Sequence, residues 1–306
     1  LALWSGREPG RLNPLSGWHG KQAEDYAVAA QAYSGAIDSS LASGFSQSAF
    51  SHAQEGSRLL SVLPSSAGIS GLRRHLTIAI GRTALRLENA AGARDTLRFL
   101  RNDPHVPGHP EMNAGALLDL AQAEMRGGEI GSIPALFSVV EALRLMPASR
   151  ARLLRLRAEY CMLVGDRDGA SRAVAAARAS YGEAADARGV ARCAEMEAGF
   201  MREDGDAAGA QAILQSALQS LADKDQPGAS ARLTMLMGEL SMSMGKVRDA
   251  ASHFAASATF ASQTGSMAGL VDALLAQGEC ELLLDASPAT QKLLESTCAI
   301  AAARLD

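Results

Sequence analysis

The C-terminal half of the sequence repeats at a fixed interval of 40 residues. In three successive units a small residue is followed by a glycine seven residues on and by an alanine twelve residues on. These positions are Ala158, Gly165 and Ala170; Ala198, Gly205 and Ala210; and Gly238, Gly245 and Ala250. A regular period of this length is typical of helical repeat proteins, in which each unit packs only against its neighbours. It therefore limits the possible folds more than any local motif does.

Each unit has the pattern of a helix A, a short turn and a helix B. From Ala151 to Met162, apolar residues recur at the spacing of one helix face. Gly165 then suits the left-handed position that ends a helix, and Asp166 is a preferred cap for the next one. Less regular copies precede the 40-residue units, so that the whole chain contains about seven units.

The composition predicts an all-α fold. Apolar residues make up 47% of the 306 residues and aromatic residues only 4%, so most apolar side chains are the helix-forming Ala, Leu and Met. Breaks in the pattern divide the chain into an irregular segment at 1–20, repeats at 21–101, a proline-rich connector at 102–110 and repeats at 111–306. The connector is the expected hinge between two subarrays, and a turn is expected at 285–288.

Charge and cysteine content argue against several classes of partner. The formal net charge is −4, so there is no overall basic field to hold nucleic acid directly. No apolar run reaches the length of about 18 residues that a membrane span needs. The four cysteines lie far apart, which is typical of thiols in the reducing cytoplasm, where we expect the protein. The first residues, 1–4, carry no signal-peptide pattern and read as the interior of a longer protein or a processed end.

The sequence contains no pattern that supports catalysis. The loop Gly165–Gly169 resembles a phosphate or calcium loop, but it lacks the Gly-Lys-Ser/Thr of the first and the closing glutamate of the second. No nucleophile elbow, zinc-protease helix or paired-cysteine site occurs, and the six histidines are scattered. We therefore predict a protein that is not an enzyme, with no catalytic residue, no metal site and no cofactor.

The repeat positions resemble those of a tetratricopeptide repeat. A small residue, an alanine twelve later, an aromatic or aliphatic residue four after that, and another small residue three further on all match. Two units show this pattern in full: Ala198, Ala210, Leu214 and Ala217; and Gly238, Ala250, Phe254 and Ser257. The period of 40 rather than 34 residues and the missing proline at the end of helix B depart from the family. The resemblance implies a right-handed α-solenoid of about seven helix-turn-helix repeats.

Longer units of this sort are similar to the repeat arrays of large bacterial signalling ATPases and of transcription regulators of the maltose-activator kind. The stretches 49–64 and 72–81 are similar to the repeat segment that follows the ATPase module in such proteins. This second resemblance implies a regulatory role inside a larger chain.

Three arginines, Arg152, Arg192 and Arg232, occupy one slot of three consecutive units. In tetratricopeptide arrays this part of helix A faces a concave groove, so the resemblance implies an inner wall of ten residues. They are Arg152, Arg155, Glu159, Arg192, Glu195, Arg202, Arg232, Met235, Glu239 and Met242. A row of guanidiniums can hold peptide carboxylates through paired hydrogen bonds. The alternative is that the arginines form the solvated start of each helix A and are neutralised by glutamates of the same face.

Two functions follow from this interpretation. The first is a non-catalytic scaffold that binds a peptide or protein partner, of acidic character, in its groove. The second is an effector-sensing module that regulates a signalling ATPase or transcription regulator, with other domains of its own parent chain as partners. No direct contact with nucleic acid or membrane is expected in either case. An all-α enzyme is the third and least supported class.

Overall fold

The computed structural model describes residues 26–42, 46–63, 67–101, 110–143, 145–222, 224, 226–264, 266–284, 291–292 and 294–298. Within these ranges every regular element is a helix, which confirms the predicted all-α class. The chain divides into two compact units, Leu1–Ser149 and Arg150–Asp306. Residues 102–109 lie outside the described ranges, and so do segments 1–20 and 285–288. The connector at 102–110, the irregular N-terminal segment and the turn at 285–288 therefore stay predictions.

The N-terminal unit contains six α-helices in its described part. They are α1 (Tyr26–Ala42), α2 (Ser46–Ser61), α3 (Ala67–Arg86), α4 (Ala90–Leu97), α5 (Pro110–Arg126) and α6 (Ile133–Glu141). Two buried carboxylates on α5 are each paired with an arginine. Arg101 Nε donates to Glu124 at 2.9 Å and Arg82 Nε donates to Asp119 at 2.9 Å. Pairing of this kind offsets the large cost of removing a charge from water.

The C-terminal unit contains seven helices that begin every 20 residues, and the described residues 291–292 and 294–298 after them are also helical. The seven helices are α7 (Pro147–Leu163), α8 (Arg167–Glu183), α9 (Ala187–Glu203), α10 (Ala207–Leu221), α11 (Pro227–Ser243), α12 (Val247–Gln263) and α13 (Met267–Leu284). Odd-numbered members are helices A and even-numbered members helices B of the 40-residue unit. The described helices of the two units thus form six pairs, and α13 begins a further pair. This arrangement confirms the helix-turn-helix repeats.

The turns explain why the helices end where they do. Gly165, Gly205 and Gly245 each adopt a positive φ of 71–80° after a helix A, a conformation that glycine enters without strain. Immediately after the first two of these glycines, Asp166 and Asp206 accept a hydrogen bond from the amide three residues on, at 2.9 and 2.8 Å. The next helix therefore starts on a side-chain cap. The third turn has Lys246 at this position, which makes no side-chain cap.

Replacing Asp206 with alanine should lower the free energy of unfolding by about 1 kcal/mol, because an amide at the start of α10 loses its acceptor. Lys246→Ala is the matched control, since it changes the same slot of the next unit without removing a cap. Chemical denaturation of both variants checks this expectation. Equal losses for the two variants would contradict the assigned role of Asp206.

A close contact between helix A and helix B explains the small residue of each unit. A Cβ added to Gly238 of α11 would overlap the ring of Phe254, which lies sixteen residues later on α12. The same separation joins Gly278 to Leu294, where the added Cβ would lie 2.5 Å from Leu294 Cδ2. The small slot therefore admits the large side chain of the facing helix.

Among the described helices, none combines the length and the apolar character that a membrane span requires.

Candidate functional site

The helices A of the C-terminal unit place the predicted arginines on one repeating face. Arg152, Arg192 and Arg232 are each the sixth residue of their helix, on α7, α9 and α11. The apolar pattern of the sequence starts the first helix A at Ala151, which would make Arg152 its second residue. The helices begin a turn earlier, and two of them begin at a proline, which suits the first turn of a helix. Asp272 holds the same slot on α13.

Two of the arginines share one carboxylate. Arg192 Nη1 donates to Glu195 Oε2 at 2.7 Å, and Arg232 Nε donates to Glu195 Oε1 at 3.0 Å. The Glu195 side chain is 8% exposed, whereas the arginines are 48% and 45% exposed. This Arg192–Glu195–Arg232 triad ties α9 to α11 and leaves about half of each arginine side chain in solvent. The neutralisation that the alternative interpretation expects is present, and a binding role for these arginines stays a prediction.

A second ion pair joins the same helices. Arg202 Nη1 lies 3.6 Å from Glu239 Oε2, and both side chains are about half exposed. The triad and this pair together bring three guanidiniums and two carboxylates onto neighbouring parts of α9 and α11. Asp272 of α13 lines the same cavity as Arg232 and Glu239, so the charges of this whole group balance.

The predicted methionines lie against the next repeat. Met235 and Met242 are partly buried and pack against a cluster that includes Phe254 and Cys280. Cys280 Sγ lies 3.3 Å from Met242 Sδ. Part of each methionine is therefore committed to the contacts among α11, α12 and α13.

The predicted residues of the first 40-residue repeat are partly buried. Arg155 pairs with Glu159, one turn further along α7, and only 11% of the Arg155 side chain is exposed. Burial raises the pKa of the nearby Tyr181 phenol, and the charge of Arg155 and its hydrogen bond to that phenol oppose the rise. Arg152 is half-buried. The 40-residue repeat that contains α7 thus contributes less exposed charge to the helix A face than the repeats that contain α9 and α11.

Two cavities open between the helices beside these ion pairs. The smaller, which we call the Gly199 cavity, has a volume of 130 Å³. It is lined by Glu195, Ala198, Gly199, Arg202, Ala210, Leu214, Leu236 and Leu240. The larger, which we call the Asp272 cavity, has a volume of 450 Å³. It is lined by Gly228, Ala231, Arg232, Met235, Glu239, Ser257, Ala261, Thr264, Ser266, Gly269 and Asp272.

Sequence reasoning did not find Gly199 and Asp272. Aligning the slots at intervals of 40 residues would have shown both, because Gly199 stands where Glu159 and Glu239 stand in the adjacent units. The slot that holds an arginine at 152, 192 and 232 likewise holds Asp272 in the next repeat, where the charge is of opposite sign. The cavities themselves depend on how neighbouring helices pack, which the repeat pattern alone does not specify.

The described residues offer little for chemistry. Among them, no group of three or more His, Cys, Asp or Glu side chains could hold a metal ion. Burial raises the pKa of the Cys193 thiol to about 12, so this buried cysteine stays protonated at neutral pH. The arrangement suits binding through charge and shape.

Comparison with known proteins supports the fold. No protein-family model matches the chain, and no curated sequence does either. Solved structures do match. The apo form of RapI is 12% identical, with 89% of this chain and 76% of that chain covered and a TM-score of 0.62. A Rap protein complexed with Competence and Sporulation Factor is 13% identical, with 90% and 77% covered and a TM-score of 0.59.

A third similar structure is a Signal Transduction ATPase with Numerous Domains from Pyrococcus horikoshii, described as having a tetratricopeptide repeat sensor. It is 11% identical, with a TM-score of 0.53, and the match covers 82% of this chain but 40% of that one. These likenesses confirm that the chain has a tetratricopeptide-like helical repeat fold.

Proposed function

We propose that this tetratricopeptide-like repeat protein binds an acidic peptide segment of a partner protein along the helix A face of its C-terminal unit. The observation that carries the proposal is the Arg192–Glu195–Arg232 triad. Its two guanidiniums are held in place by one buried carboxylate and are still half exposed. A guanidinium carries five N–H donors in a fixed plane, so one bond to Glu195 leaves donors for a second carboxylate.

The surroundings of the triad support a peptide as the ligand. The Gly199 cavity, which is largely apolar, includes Glu195 in its wall, and the Asp272 cavity, which has a mixed lining, includes Arg232, so a recess lies beside each of these charged groups. Ligand sites commonly combine such recesses with a few placed polar groups. Partly buried methionines at Met235 and Met242 add adaptable apolar surface. A Rap protein of similar fold has been crystallised with Competence and Sporulation Factor, which is consistent with this use of the fold.

A second candidate is a sensor module of a larger signalling ATPase or transcription regulator. It is favoured by the likeness to the repeat-containing ATPase of Pyrococcus horikoshii. Under this proposal the helix A face binds an effector or another domain of the same parent chain. The reading frame that surrounds the 306 residues distinguishes the candidates, since a nucleotide-binding module or a winged helix beside them would favour the sensor.

Selection from a phage-displayed library of random peptides tests the first proposal. The wild-type protein should enrich sequences rich in Asp and Glu, because their carboxylates can pair with Arg192, Arg202 and Arg232. The double variant Arg192→Ala/Arg202→Ala, which leaves Arg232 to pair with the buried Glu195, should lose most of this enrichment. The double variant Arg172→Ala/Arg248→Ala, which removes two exposed arginines from helices B, is the matched control and should keep it. Selection without acidic enrichment, or equal enrichment by both double variants, would contradict the proposal.

A further inference from the structure

One helix A lacks a side chain that its neighbours carry. The slot of Gly199 holds Glu159 on α7, Glu239 on α11 and Glu279 on α13. A Cβ built on Gly199 meets no atom within 4 Å, so the space beside this glycine is open. The Gly199 cavity occupies that space.

The helix itself does not need this glycine. Gly238 is required because Phe254 fills the place of its side chain, but no neighbour fills the place of a side chain at Gly199. A glycine inside a helix lowers the stability of the helix by about 1 kcal/mol relative to alanine. The structural effect of Gly199 is therefore a cost in helix stability together with an open recess between α9, α10 and α11.

The recess has the size and polarity of a pocket for one aliphatic side chain. Its wall is largely apolar, formed by two alanines and three leucines: Ala198, Ala210, Leu214, Leu236 and Leu240. Its volume of 130 Å³ is close to the roughly 150 Å³ of an engineered apolar cavity that binds benzene. The charged members of its lining are Glu195, whose carboxylate is taken by Arg192 and Arg232, and the half-exposed Arg202.

We propose that the Gly199 cavity is a specificity pocket that receives a leucine- or isoleucine-sized side chain of the bound peptide, next to an acidic residue that pairs with Arg202. This inference rests on the proposed function, since it assigns the side chain that the peptide places between α9 and α11. An apolar side chain in the pocket leaves water, while the neighbouring carboxylate meets the positive charge at the rim.

An array of synthetic peptides tests the pocket. Each peptide carries glutamate beside one position that is varied through Gly, Ala, Val, Leu, Ile, Phe and Trp. The wild-type protein should bind the Leu and Ile members about tenfold more tightly than the Ala member, because they bury more apolar surface, and should disfavour Trp. Gly199→Leu should remove this preference, because its own side chain occupies the recess. Gly199→Ala should retain the preference, since a methyl group leaves most of the space open.

Thermal melting separates a pocket from a structural role. Both variants should melt at or above the wild-type temperature, because the added Cβ meets open space and either residue has a higher helix propensity than glycine. Glutamate-dependent binding without any preference for size, or an unchanged preference in Gly199→Leu, would overturn the pocket while leaving the proposed function intact. Failure of every acidic peptide to bind would overturn both.

Discussion

Replacing Phe254 with alanine is expected to lower the free energy of unfolding of the C-terminal unit by about 3–5 kcal/mol. Phe254 is 3% exposed, and its ring fills the space above Gly238 where α11 crosses α12. Removing it loses the transfer free energy of a buried aromatic group and leaves a cavity between two close helices. Circular dichroism during urea titration measures the loss. The variant His253→Ala changes the neighbouring, half-buried position and should cost clearly less.

The contact can be isolated by a second substitution. Gly238→Leu alone should cost about 1–3 kcal/mol through overpacking against the ring. Combined with Phe254→Ala, it should cost less than the two single changes added together, since the leucine then enters the vacated space. Strict additivity would mean that the two residues do not share this contact.

The repeat pattern marks the positions of Gly238 and Phe254, because the cause of their contact is local and strongly constrained. Helices that cross at close range leave room for only a small residue on one side, so the same slot stays small in each unit, and its partner follows at a constant distance. The turns at Gly165 and Gly205 were predictable for a similar reason. A positive φ strongly favours glycine, and an aspartate after it supplies a cap.

The site was predictable only in part. The position of Arg192 and Arg232 on one face follows from the period, and the alternative interpretation anticipated neutralising glutamates. The sequence did not show that Glu195 would serve both arginines, or that Arg155 would be buried beside Tyr181. These details depend on side-chain conformations and on the offset between adjacent helices, which a spacing rule does not determine.

Replacing Arg192 with alanine should weaken the binding of an acidic peptide by about tenfold or more. A charge-assisted hydrogen bond in a partly desolvated site contributes roughly 1.5–3 kcal/mol, and each 1.4 kcal/mol is a factor of ten in affinity. Arg192→Lys should recover only part of the loss, because an ammonium cannot form the paired bonds of a guanidinium. The melting temperature should change little, since Arg192 itself is half exposed and the buried Glu195 carboxylate keeps its bond to Arg232.

The most direct test of peptide binding by the helix A face is a calorimetric titration with one acidic peptide from the library selection. The proteins compared are the wild type, Arg192→Ala and the helix B control Arg248→Ala, each with its melting temperature measured alongside. We predict a tenfold or greater loss of affinity in Arg192→Ala alone, with all three melting temperatures nearly equal. Unchanged affinity in Arg192→Ala together with a lower melting temperature would contradict the account and assign Arg192 a purely structural role.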